Sequence, residues 1–201
     1  MITLCMDTSQ SFLVLALIKD EQLIASYQEP CWKRQSEELF PRLNALLEQQ
    51  HLQPENIDQI VITEGPGSYT GVRIAMTVAK VFCAMKELPL YTLGSLQLAA
   101  GMADHARVLM DARGHRAYHG IYEHGVLQGE LAALDVDEIK AQLKPEETVY
   151  GDGHLVGLED CWPDLAANFL VLKPLWKKAE NVHLLTPEYH KPSESYLVKR
   201  G

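Results

Sequence analysis

The sequence predicts an α/β protein in two lobes that open alike. Three observations carry this. Strand-like alternation fills Ile2 to Tyr27, helical periodicity takes over near Ser36, and the strand–turn–strand opening returns about 100 residues later. The chain has 201 residues, enough for one large domain or two small lobes with real cores. Its apolar and charged shares, 47% and 22%, are those of an ordinary globular chain. No run approaches the ~18–20 apolar residues of a membrane span.

The elements come in order. Ile2, Leu4 and Met6 alternate with smaller residues until Asp7-Thr8-Ser9-Gln10 breaks the run. Phe12, Val14, Ala16 and Ile18 alternate again, Lys19-Asp20-Glu21 turns the chain, and Leu23 to Tyr27 reads as a third strand of an antiparallel meander. Leu39, Phe40, Leu43, Leu46 and Leu47 then share one helical face. Ser36 is the expected N-cap, with Glu37 and Glu38 in the first turn. Pro41 predicts a kink or a fresh start within that helix. Ile57 to Ile62 is a short buried strand, Gly65 to Gly71 a loop, Val72 to Met85 a helix, Leu90 to Leu93 a strand, and Ser95 to Met102 a helix. The first half is therefore β-β-β-α-β-α-β-α.

Val108-Leu109-Met110-Asp111-Ala112-Arg113 opens the second half as Leu4-Cys5-Met6-Asp7-Thr8-Ser9 opens the first. In both, 13 residues lead from the aspartate to the next turn, Asp7 to Asp20 and Asp111 to His124. Ala117 to Tyr122 is the return strand and Leu127 to Leu134 the third. Asp135 caps a helix through Leu143, and Thr148 to Tyr150 is a strand. The second copy is shorter and loses its pattern after Gly153.

Composition limits the chemistry. A formal charge of −9 argues against unaided nucleic-acid binding, which needs Lys and Arg against phosphate. Met1 to Asp7 carries no basic segment and reads as no signal peptide. Cys5, Cys31, Cys83 and Cys161 form no C-x-x-C and read as reduced thiols of a cytosolic protein. His115, His119 and His124 lie in a turn and strand, too spread for one ion. His105, His154, His183 and His190 read as isolated. No metal site is expected.

The strongest local feature is Glu64-Gly65-Pro66-Gly67-Ser68-Tyr69-Thr70-Gly71-Val72-Arg73, joining a strand to a helix. Such turns can cradle phosphate, but this one has neither the lysine of a P-loop nor the third glycine of a dinucleotide fingerprint. A rigid turn is the other reading. Asp7 and Asp111 both sit at hairpin turns, where aspartate bonds its own backbone. If the lobes face each other, Asp7, Thr8, Ser9 and Asp111 line one cleft, a place for a nucleotide. The helix after Gly71 has two apolar faces. Val72, Ala75, Met76, Ala79 and Phe82 make one; Ile74, Val78, Val81 and Met85 make the other; Arg73, Thr77 and Lys80 form a narrow polar stripe. Covering a sheet needs one face. The second is either deep core or a partner surface.

Ile2 to Ser9, Ser36-Glu37-Glu38-Leu39-Phe40-Pro41, Gly65 to Arg73 and Leu109 to Arg113, in that order and spacing, resemble the TsaB (YeaZ) family, the non-catalytic subunits of bacterial tRNA threonylcarbamoyladenosine biosynthesis. The resemblance is clear over residues 1–125 and weak beyond. Gly65, Pro66, Gly67, Ser68, Tyr69, Thr70, Gly71 and Arg73 match the family's signature loop. The resemblance implies an actin-like, Hsp70-like (ribonuclease H-like) fold. Residues 1–104 would form the lobe carrying the partner-binding helices. Residues 105–201 would form a reduced lobe, with room for the last residues to pack back on the first.

It also implies partners: a TsaD-like catalytic paralogue, a TsaE-like ATPase, and a second copy of the chain when alone. Leu39, Leu43, Ile74, Val78, Val81 and Met85 would form the shared interface. Contact with tRNA would come only through the complex, in the cytoplasm, with no cofactor of the chain's own. The catalytic relative carries a metal-binding His-x-x-x-His pair after the strand matching Leu90–Leu93; here Ser95 and Ala99 stand instead, so metal-dependent transfer is not expected. The family's Tyr-Leu-Arg tail reads Tyr189-His190-Lys191 here. Rival readings are a metallo-glycopeptidase, a small-molecule kinase of the same architecture, and a plain self-associating scaffold.

Overall fold

In the computed structural model, which describes residues 1–144 and 147–188, two sheets lie face to face with helices between and outside them. The first sheet begins with the meander β1 (Ile2–Asp7), β2 (Phe12–Lys19) and β3 (Gln22–Pro30). Helix α1 (Gln35–Gln49) leads to β4 (Gln59–Thr63), α2 (Tyr69–Lys86) to β5 (Leu90–Leu93), and α3 (Ser95–Ala100) leaves the sheet. The strand order is β5-β4-β1-β2-β3, with β4 parallel to both β1 and β5. The second sheet repeats the opening with β6 (Ala106–Asp111), β7 (Arg116–Glu123) and β8 (Val126–Asp135), then α4 (Val136–Gln142) and β9 (Val149–Gly151). Its order is β8-β7-β6-β9, with β9 parallel to β6. Two copies of one order, the second lacking its last strand, make the actin-like, ribonuclease H-like fold.

Burial explains the apolar runs. The side chains of β1 alternate between two cores. Leu4 and Met6 meet α1 and α2 on the outer face, while Cys5 faces the second lobe. That inner core also takes Leu96 of α3, Phe169 of α5 (Leu165–Val171), and Val108 and Met110 of β6. Leu109, Ile139 and Val149 close a third core beneath α4. After α5 the chain returns to the first lobe. There β10 (Lys177–Lys178) pairs antiparallel with β5, and Lys80 Nζ donates to the carbonyls of His183 and Leu185.

The helices differ in detail from the sequence reading, and α3 ends at Ala100, two residues before Met102. The cap of α1 is Arg34 rather than Ser36, and no side chain bonds there. Gln35 starts the helix because its amide Nε2 donates to the Gln10 carbonyl inside the fold. Pro41 neither stops nor restarts α1, since Leu39, Leu43, Leu46 and Leu47 seat the helix in the core on both sides of it. Helix α2 starts at Tyr69, one turn earlier than Val72, because Ser68 caps it and accepts from the Gly71 N–H. Asp135 caps α4 as expected, accepting from the Asp137 N–H. Tyr189-His190-Lys191 lie outside the described residues.

Candidate functional site

The two faces of α2 part company. Val72, Ala75, Met76 and Ala79 are buried on the sheet. On the other face Met85 is 81% exposed, Val81 55%, and Ile74 and Val78 are half-buried. Among the described residues Val81 and Met85 stay uncovered, while Ile74 and Val78 rest in part on the outer core. Beside it α1 presents Phe40, 52% exposed, across a groove of about 400 Å³ that Ile74, Thr77 and Val78 line from α2. The expectation for α1 needs correcting. Leu39 and Leu43, 1% and 3% exposed, belong to the lobe's own core, with Leu39 only touching the groove floor. They point to the sheet, and a helix that packs on a sheet turns the next residue, Phe40, outward. Sequence reasoning missed Phe40 because it counted it on the same helical face as Leu39, Leu43, Leu46 and Leu47.

The glycine-rich loop is a rigid turn. A Cβ on Gly67 would lie 2.4 Å from the Ser9 carbonyl oxygen, and one on Gly71 would lie 2.2 Å from that of Thr8. Glycine is what lets α2 come down onto the turn after β1. Three amides in and just after the loop are already used. The Ser68 N–H donates to Ser9 O (2.8 Å), Gly71 N–H to Ser68 Oγ (3.3 Å) and Val72 N–H to Ser68 O (2.9 Å). The Thr8 hydroxyl donates to Gly71 O and accepts from Ala75 N–H. A phosphate cradle needs such donors free.

Asp7 and Asp111 both do turn chemistry. Asp7 Oδ1 accepts from the Ser9 N–H (2.9 Å) and from the Thr63 hydroxyl. Asp111 Oδ1 accepts from the Arg113 N–H (2.7 Å). Burial raises the Asp7 pKa, against the hydrogen bonds from Thr63 and Ser9. Between the lobes lies a cleft of about 840 Å³. Ser9 and Asp111 line it, together with Ser68, Arg113, Asp152 and Trp162. Asp7 and Thr8 do not; they are buried beneath the glycine loop. The cleft expected for Asp7, Thr8, Ser9 and Asp111 is thus lined by two of the four.

The family model for TsaD, tRNA N6-adenosine threonylcarbamoyltransferase, matches residues 28–149. The chain is 30% identical to the tRNA threonylcarbamoyladenosine biosynthesis protein TsaB of Escherichia coli over 178 residues, which are 81% of this chain and 74% of that one. The chain belongs to the TsaB family. With TsaB of Bacillus subtilis it shares 34% identity over 128 residues, 62% of this chain and just over half, 56%, of that protein's length. YeaZ from Pseudomonas aeruginosa has the same fold, with a TM-score of 0.74 at 22% identity, covering 94% of this chain and 99% of that one.

Ser95 and Ala99 are both buried in α3 and offer no imidazole. The histidines are less isolated than the sequence suggests. His154 Nδ1 lies 2.7 Å from Asp160 Oδ1, and His105 Nε2 lies 3.3 Å from Glu147 Oε1. His119, buried, accepts from Arg107 at 2.7 Å; burial and that cation lower its pKa to about 4. Among the described residues no helix is long and apolar enough to cross a membrane.

Proposed function

We propose that the chain serves tRNA threonylcarbamoyladenosine biosynthesis as a non-catalytic subunit. It binds and organises a TsaD-like catalytic paralogue, which transfers threonylcarbamoyl to N6 of the adenosine beside the anticodon. One observation carries this reading: along the row Ile74, Val78, Val81 and Met85, flanked by Phe40, Val81 and Met85 are exposed and Ile74 and Val78 only half-buried, while the opposite apolar faces of α1 and α2 are buried. Apolar burial is worth about 25 cal/mol per Å², and stable interfaces cover about 800 Å² on each partner. A row along α2 with a phenylalanine across the groove makes a suitable centre for such a patch. The membership in the TsaB family and the absence of imidazole at Ser95 and Ala99 support the non-catalytic assignment.

The same surface serves a second copy of the chain when the paralogue is absent, and a TsaE-like ATPase joins the pair. The net charge of −9 fits contact with tRNA through the partner rather than directly, in the cytoplasm. The test is co-purification with the organism's TsaD-like protein, then a tRNA modification assay with and without this chain. The double variant Val78→Glu, Met85→Glu should keep its far-UV spectrum yet lose both self-association and the paralogue on size-exclusion chromatography. Retained partner binding by a folded double variant would refute the reading.

A further inference from the structure

The second-lobe wall of the cleft carries a group of side chains that the proposed partner role leaves unused. Asp152, His154 and Asp160 each place one ligand atom so that all lie within 4.8 Å of one another. The loop that holds them is pinned at both ends. Gly151 N–H donates to Cys161 O (2.7 Å) and Cys161 N–H to Gly151 O (3.0 Å), which brings Asp152 and Asp160 together before anything binds. The Asp111 N–H fixes Asp152 Oδ2 at 2.7 Å, and Asp160 Oδ1 holds both the His154 N–H and Nδ1.

Acidic charge gathers on the cleft wall. Its lining holds the carboxylates of Asp111, Asp152 and Asp160 against Arg113, whose guanidinium stands over the Trp32 ring, 6.0 Å from its centre. From the first-lobe wall comes Ser9, 1% exposed, whose Oγ has no hydrogen-bond partner among the described residues. It is near enough to Asp7 to favour that carboxylate's charge, yet outside hydrogen-bond geometry. A buried hydroxyl of this kind calls for an ordered water or bound group. A second cluster, His115, Asp135 and Asp137, is equally close-set but lies outside the cleft, and Asp135 is spent on capping α4.

We propose that Asp152, His154 and Asp160 bind one divalent transition-metal ion, of the zinc, cobalt and nickel class, on the second-lobe wall of the cleft. An imidazole with two carboxylates suits these ions better than magnesium or calcium, which prefer oxygen alone. Three protein ligands leave coordination positions open to water. The ion also neutralises a wall on which three carboxylates gather. This site is independent of the α2 surface.

The test is isothermal titration calorimetry of the full chain with zinc, cobalt, nickel and magnesium chlorides. We expect one equivalent of each transition ion bound and magnesium bound far more weakly. His154→Ala should weaken binding by at least about tenfold while the circular dichroism spectrum stays native. His115→Ala and Cys161→Ser should leave it unchanged. Nickel should also quench the fluorescence of Trp162 in the same cleft, and Trp162→Phe should remove most of that quenching. No binding at millimolar ion, undiminished binding by His154→Ala, or a loss that accompanies His115→Ala instead would each overturn the assignment.

Discussion

The two lobes begin with the same turn and then treat it in opposite ways. After β1, Asp7 accepts the N–H of Ser9; after β6, Asp111 accepts that of Arg113. In the first lobe the segment after β4 is a glycine loop and an 18-residue helix, which bury the turn. In the second, the segment after β9 is a four-residue 3-10 turn, Gly153–Val156, and Asp111 stays exposed. One difference after the fourth strand thus divides the labour. The long helix gives the first lobe its partly uncovered apolar row, and its absence leaves the second lobe an open, acidic cleft wall.

The largest effect should come from breaking the buried turn. Gly71→Ala puts a methyl group 2.2 Å from the Thr8 carbonyl oxygen, backbone that cannot step aside. Alanine favours a helix over glycine by about 1 kcal/mol, but a forced shift of packed backbone costs more. We expect a net loss of about 3 kcal/mol in urea unfolding. At the turn of the second lobe the glycine is Gly114, with nothing within 4 Å of an added Cβ and a φ of +65°. Gly114→Ala should cost about 1 kcal/mol, from backbone strain alone. Equal losses at the two positions would show that burial of the turn is not what separates the lobes.

The next effect is electrostatic and has opposite signs in the two lobes. His119 in the second lobe is held neutral by burial and by Arg107, with a pKa of about 4 against 6.5 for the free side chain; Glu147 opposes this weakly. The unfolded chain then binds the extra proton first, so this contribution is complete above pH 6.5 and is lost as pH falls toward 4. At 1.36 kcal/mol per pKa unit it is worth at most about 3 kcal/mol. His119→Gln, which keeps an acceptor for Arg107, should flatten unfolding free energy between pH 7 and 5. Asp7 in the first lobe has a pKa raised by burial, so the native state holds its proton longer and stability falls as pH rises above 3.8. Asp7→Asn should remove that decline. A loss of the acid-side dependence in Asp7→Asn, with none in His119→Gln, would reverse the two assignments.

Much of this contrast was legible in the sequence. Alternation gave the strands, the Asp-to-turn spacing gave the repeat, and the surplus of apolar residues on α2 gave a second face, left open between core and surface, because periodicity reports which side chains share a face and not what covers them. Leu39, Leu43 and Phe40 were harder. All three are apolar and close together, and only the register of α1 on the sheet decides which turns outward. The group at Asp152, His154 and Asp160 was not legible, since the strand pairing of Gly151 with Cys161 brings its ends together and no spacing rule announces that contact. The loop amides were in the same position. The Ser68 amide bonds to Ser9 and the Gly71 carbonyl to Thr8, some sixty residues away in the chain.

The smallest effect isolates the hydrogen bonds of the buried turn from its packing. The Thr8 hydroxyl donates to Gly71 O at 2.7 Å and accepts from Ala75 N–H at 3.1 Å, tying the turn to the first turns of α2. Ala112 holds the corresponding place in the second lobe and is equally buried without such a link. Thr8→Val keeps the shape and removes both bonds, leaving one backbone carbonyl without that donor. The expected loss is about 1–2 kcal/mol, read from the urea midpoint. The loss should appear with native self-association preserved, because the exposed row on α2 is turned away from Thr8. Thr8→Val could instead disperse the self-associated form while unfolding at the native midpoint. In that case the turn sets the helix's position for the partner rather than holding up the lobe, and the two lobes differ in function at the turn itself as well as in the segment after the fourth strand.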